Sequence, residues 1–146
     1  MTPKSGTAAF DLDRFVTAQA PIYARVLEEL RAGRKTSHWM WFIFPQLRGL
    51  GLSDMAQYYG LDGRAEAAAY LDHPLLGEHL RECTAIVNGL ERVSAHEVFG
   101  MPDTLKFRSS MTIFDLVAEP ASVFAEALDK YFHGERDART IALVRP

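Results

Sequence analysis

The chain predicts an all-α fold, a single multihelical domain of about seven to nine helices, several of them short. Two observations carry this. Apolar residues recur at three- and four-residue steps along most of the sequence, and proline, glycine and capping residues break those runs at helical lengths. A third agrees with them: no Asn-Gly or Asp-Gly is flanked by alternating apolar residues, although Asp62-Gly63 and the aromatic run 41–44 are strand candidates.

The elements follow in order. Met1 to Ala9 has little to bury and reads as a flexible tail, which leaves 10–146 as the domain. Leu12, Phe15 and Val16 share a helical face behind Asp11, a good N-cap, and Pro21 breaks the chain before a second helix. That helix carries Ile22, Val26, Leu27 and Leu30 inward and stops at Gly33, with Arg31, Arg34 and Lys35 where cations favour a helix C-terminus. Trp39 to Phe44 is ambiguous by period. It is read as helical because Ser37 can cap it and Pro45 ends it.

Ser53 caps a short helix that ends at Gly60, and Asp62 is placed to cap the alanine-rich Arg64 to Leu71. After Pro74, the stretch 75–90 is the strongest amphipathic helix, with Leu76, His79, Leu80, Cys83, Ile86, Val87 and Leu90 on one side. Ser94-Ala95-His96-Glu97 has capping-box spacing ahead of a helix that ends at Gly100. Asp103 is expected to cap the next, whose face is Phe107, Met111, Phe114 and Ala118. Pro120 is expected to start another that runs to Gly134, and Asp137 to cap a last one through Val144.

Composition narrows the function. With 146 residues, 48% of them apolar, and a net charge of −3, the chain has no general attraction for phosphate backbones or anionic membranes, so neither nucleic acid nor membrane is an expected partner. The longest apolar run, Trp39 to Phe44, falls far short of the ~20 residues of a membrane span. A lone cysteine and the absence of a leader pattern point to the cytoplasm. No metal-ligand spacing and no glycine-rich phosphate loop occurs, so neither metal nor cofactor is expected.

Two segments remain as site candidates. Between Arg31 and Arg48 lie basic side chains and no acid, together with both tryptophans. Here Arg48 can hold a carboxylate or phosphate, Trp39 or Trp41 can stack on a planar ring, and Gln46 can hydrogen-bond. His38 is the near-neutral acid or base among them, which with Lys106 makes the candidate catalytic pair. The second segment, 103–111, adds Lys106, Arg108, Ser109 and Ser110. Every one of these residues also has a structural reading, since tryptophans fill cores and lysines at a helix start are solvated.

The string Ser37-His38-Trp39-Met40-Trp41-Phe42-Ile43-Phe44-Pro45-Gln46-Leu47-Arg48-Gly49-Leu50-Gly51 resembles the signature of the family numbered 1810 among domains of unknown function. The likeness extends to Met55-Ala56-Gln57-Tyr58-Tyr59-Gly60, His73-Pro74-Leu75-Leu76-Gly77 and Lys106-Phe107-Arg108-Ser109-Ser110-Met111. It implies a small all-α domain and brings no reaction or cofactor with it. A few residues around Lys106-Phe107 also resemble helical N-glycosidases that act on ribosylated small molecules, which is analogy at the level of fold.

The sequence thus gives two functional expectations. One is a cleft between the two segments for a planar or anionic small molecule, nucleotide- or ribose-related, with or without chemistry. The other is a non-enzymatic interaction or homodimerisation domain anchored by a tryptophan and Arg48. A concave pocket joining the segments favours the first and a flat apolar patch the second.

Overall fold

Ten α-helices and no strand occupy residues 10–144, the part of the chain that the computed structural model describes. The tail expected at 1–9 lies outside the described residues. Helices α1 (Asp13–Gln19) and α2 (Tyr23–Arg31) open the domain with Pro21 in the turn between them, and rather than pairing as a hairpin they pack on other helices, α1 on α3 and α6 and α2 on α6. Then come three short helices and one longer one: α3 (Met40–Ile43), α4 (Asp54–Tyr58), α5 (Arg64–Asp72) and, after a later gap, α7 (Ala95–Phe99). The longest are α6 (Pro74–Gly89) and α8 (Asp103–Val117), and α9 (Val123–Phe132) and α10 (Ala138–Val144) close the chain.

Helices α6 and α8 are the frame, because α5 and α9 each pack against both of them. Their inward faces, Leu76, Leu80, Cys83 and Val87 on one and Phe107, Met111 and Phe114 on the other, join one hydrophobic core with Phe15, Trp39, Phe44 and Tyr70. The tightest approach is at Gly77, where a Cβ would stand 2.1 Å from the Leu71 carbonyl oxygen; a bare backbone there lets α6 turn back against the end of α5.

Most of the stop and start signals act as read. Ser53 accepts from the Ala56 amide, Ser94 and Glu97 form a full capping box, and Asp137 accepts from Thr140. Others do not. Asp11, Asp62 and Asp103 cap nothing, for α1, α5 and α8 have Leu12, Gly63 and Pro102 at their N-caps without a side-chain bond. Asp62 and Asp103 serve ion pairs with Arg48 and Lys35 instead. Ser122 rather than Pro120 opens α9, by accepting from the Ala125 amide.

The aromatic run is one turn of helix and not a longer one. Ser37 does not cap it, since its hydroxyl donates to Glu29 at 2.6 Å. Past Pro45 the chain extends and Leu47 makes a single parallel bridge to Leu61, closed by Arg48 N donating to the Leu61 carbonyl at 2.8 Å and Leu61 N to that of Gln46 at 3.0 Å.

Candidate functional site

Two cationic side chains that share one carboxylate define the cleft. The chain leaves α2 through Gly33, which takes the positive φ of 74° that glycine tolerates best, and delivers Lys35 to the start of α8. There the Lys35 Nζ stands 2.8 Å from Asp103 Oδ2 and the Lys106 Nζ 3.6 Å from Asp103 Oδ1. The three side chains are 7%, 18% and 22% exposed, in the order Lys35, Asp103, Lys106. Each ammonium also lies over an indole, Lys35 at 5.1 Å from the Trp39 ring centre and Lys106 at 5.1 Å from that of Trp41.

Lys106 stands where three hollows meet. The first, about 330 Å³, is lined by Lys35, Ser37, His38, Trp41, Asp103 and Lys106 among others, and Asp103 is its one acidic residue. The second, also about 330 Å³, has Gln46, Leu105, Ser109, Asp137 and Arg139 on its walls beside Lys106. Between them is a narrow slot of about 10 Å³, walled by Trp41, Phe44, Tyr59, Gln46 and Lys106, with room for about one water. The indole N–H of Trp41 is buried and has no hydrogen-bond partner among the described residues.

Glu29 holds the floor of this cleft in place. Its carboxylate accepts from the amides of Thr36 and Ser37 at 2.8 and 3.0 Å, from the Ser37 hydroxyl, and from Trp39 Nε1 at 2.9 Å. Burial would raise this carboxyl, but the Ser37 hydroxyl, the two amides and the Trp39 indole together outweigh it and hold the group at about 2 against an ordinary 4.5. An irregular stretch is thereby tied to α2, and His38 and Trp41 are set at the hollow's edge.

Of the residues singled out in the sequence, His38, Trp41, Gln46, Lys106 and Ser109 meet around these hollows. His38 is exposed at the rim, and Ser109 donates to the Leu105 carbonyl at 3.0 Å. Trp39 is 1% exposed and belongs to the core. Ser110 is wholly buried and its hydroxyl has no partner among the described residues. Arg108, two positions on from Lys106 and so about 200° around the helix, instead donates to the carbonyls of Glu135 and Arg136 at 2.9 and 3.3 Å.

Arg48 is not on the Lys106 cleft. It lines a separate and wider hollow of about 500 Å³ with Arg14, Tyr58, Asp62 and Glu66. The guanidinium groups there are already matched: Arg48 pairs with Asp62 and donates to the Gln57 carbonyl at 3.0 Å, while Arg14 pairs with Glu66 at 3.0 Å. Gly60 makes this possible, because a Cβ on it would meet the Arg48 Cα at 2.7 Å.

Glu29, Lys35, Asp103 and Arg139 complete the site. Lys35 and Asp103 are visible in the sequence, as a helix-end cation and a cap, but nothing in the local pattern shows that they pair with each other. Arg139 gives no signal at all. Among the described residues no group of three or more His, Cys, Asp or Glu stands close enough to hold a metal, and no helix is long and apolar enough to cross a membrane.

A comparison with curated proteins yields no match. The chain is similar to a solved structure, the conserved hypothetical protein Rv1873 from Mycobacterium tuberculosis, at 55% identity over 93% of this chain and 97% of that one, with a TM-score of 0.91. At that identity and coverage, the fold is shared along nearly the whole length. The sequence matches the family described as "Protein of unknown function (DUF1810)" over residues 9–144, and the chain belongs to that family.

Proposed function

We propose that this chain binds a small anionic molecule with a planar portion, of nucleotide or ribose-phosphate type, in the cleft centred on Lys106. One observation carries the reading: Lys35 and Lys106 converge on a single carboxylate, Asp103, so a partly buried site keeps an unmatched positive charge inside a chain of net charge −3. An anion is the natural counter-charge, and partial burial makes each contact stronger than on an open surface. The Trp41 indole lines the same hollow, with the Lys106 ammonium over its ring, and so gives a planar group an aromatic wall to pack beside. If chemistry follows binding, His38 is the acid or base on the same hollow. An interface anchored on the same residues has less support, with Trp39 interior and Arg48 already ion-paired.

A thermal-shift comparison of AMP, ribose 5-phosphate and benzoate on the wild type and on Lys106→Gln tests this. A ligand at 100 times its Kd stabilises by about 2.7 kcal/mol, a shift of roughly 5 to 10 °C for a domain of this size. The expected result is a shift in the wild type that Lys106→Gln loses. No shift with any of the three, or equal shifts in both proteins, rejects the reading.

A further inference from the structure

The second hollow repeats the chemistry of the first, and this gives a narrower statement about the ligand. Across Lys106 from the Lys35 side stands Arg139 of α10, an exposed side chain that lines the second hollow and makes no hydrogen bond or ion pair among the described residues. The one acid on those walls, Asp137, caps α10, its Oδ2 accepting from both the amide and the hydroxyl of Thr140 at 2.9 and 2.7 Å, and its single charge stands against the two cations Lys106 and Arg139. Gln46, whose side chain likewise has no partner among the described residues, lines both this hollow and the slot beside Trp41. Each hollow therefore has its own second cation, and Lys106 is common to both.

A single phosphate-sized anion occupies a fraction of about 330 Å³ and needs one hollow only. In that case Lys35, Lys106 and His38 suffice and Arg139 has no part. The duplicated cations and the shared ammonium fit a longer ligand better. We infer that the cleft takes a ligand with two anionic groups, such as a diphosphate ester, one seated between Lys35 and Lys106 and the other between Lys106 and Arg139. Taken together the two hollows reach the size of pockets that hold whole metabolites, whose volumes run from about 300 to 1,000 Å³. The inference rests on the anion-binding reading of the Lys106 cleft and specifies the class of anion it selects.

Isothermal titration with inorganic phosphate and with pyrophosphate, on the wild type and on Arg139→Gln and Lys35→Gln, tests it. Arg139 bonds to nothing described, so its replacement leaves the fold intact. A charge-assisted hydrogen bond is worth about tenfold or more in affinity. Pyrophosphate is expected to bind the wild type at least that much more tightly than phosphate. Arg139→Gln should remove this advantage and leave phosphate unchanged, whereas Lys35→Gln should weaken both. Pyrophosphate no tighter than phosphate, or an advantage that survives Arg139→Gln, overturns the two-anion ligand while the single-anion site stands. Failure of the wild type to bind either ion overturns both.

Discussion

Replacing Glu29 by Gln is the change that best tests how the cleft is held. Four donors converge on the Glu29 carboxylate, namely the Thr36 and Ser37 amides, the Ser37 hydroxyl and the Trp39 indole, all between 2.6 and 3.0 Å. Glutamine keeps one oxygen as an acceptor but loses the charge, and a hydrogen bond to a charged group is worth about 1.5–3 kcal/mol against about 0.5–1.5 for a neutral one. The depressed carboxyl expresses the same four bonds as a proton affinity. A fall from 4.5 to about 2 corresponds to about 3 kcal/mol of stability at neutral pH. We therefore expect Glu29→Gln to cost about 2–3 kcal/mol in urea denaturation at pH 7, or roughly 5 to 10 °C in Tm.

The pH dependence has a definite sign. The folded-state value lies below the unfolded one, so the unfolded chain binds the proton more tightly. The stabilisation is whole above 4.5 and is lost as pH falls through about 2. The gap between wild type and variant should narrow over that range, with more than half of it gone by about pH 3. A variant as stable as the wild type at pH 7, or a gap that stays constant with pH, refutes the argument.

Three further outcomes follow from the geometry. Arg48→Ala removes a partly exposed ion pair and one bond to a carbonyl, so it should cost less than about 1 kcal/mol in a melt and leave phosphate affinity unchanged; loss of phosphate binding would put the anion in the other hollow. Gly77→Ala forces a methyl to within 2.1 Å of a backbone oxygen, which predicts a loss of about 3 kcal/mol in urea denaturation, and a loss below about 1 would show that α5 and α6 can separate freely. Burial pushes the Cys83 thiol up to about 12, so Ellman's reagent at pH 8 should leave the native protein unlabelled and react at once in denaturant. Prompt labelling of the native protein would contradict that burial.

Helix positions were legible where the signal is local. The Ser94–Glu97 box, the Ser53 cap, Asp137 before α10, and the stripe of α6 all depend on residues within a turn or two of one another. The acids at 62 and 103 look like caps in the sequence because their partners, Arg48 and Lys35, are far off along the chain and become neighbours only through tertiary structure. The Leu47–Leu61 bridge sets Arg48 beside Asp62, and no periodicity reports such a pairing.

Much the same holds for the site. Residue chemistry alone drew attention to the 37–48 and 103–111 segments, and the meeting of Trp41, Gln46 and His38 with Lys106 follows that expectation in part. Arg108 and Ser110 are on the right helix, but one faces away from the cleft and the other is wholly buried. Glu29 carries no signal in the sequence because its role exists only once the irregular stretch 36–39 folds back to α2.

The most direct test of the Lys106 cleft uses the two indole N–H resonances in a phosphate titration followed by NMR. Trp41 lines the cleft and its buried N–H has no partner among the described residues, whereas the Trp39 N–H is held by Glu29 inside the core. The account predicts that the Trp41 signal moves and saturates, that the Trp39 signal stays nearly fixed, and that Lys106→Gln abolishes the change. A Trp41 signal indifferent to phosphate, or one that titrates identically in Lys106→Gln, contradicts it.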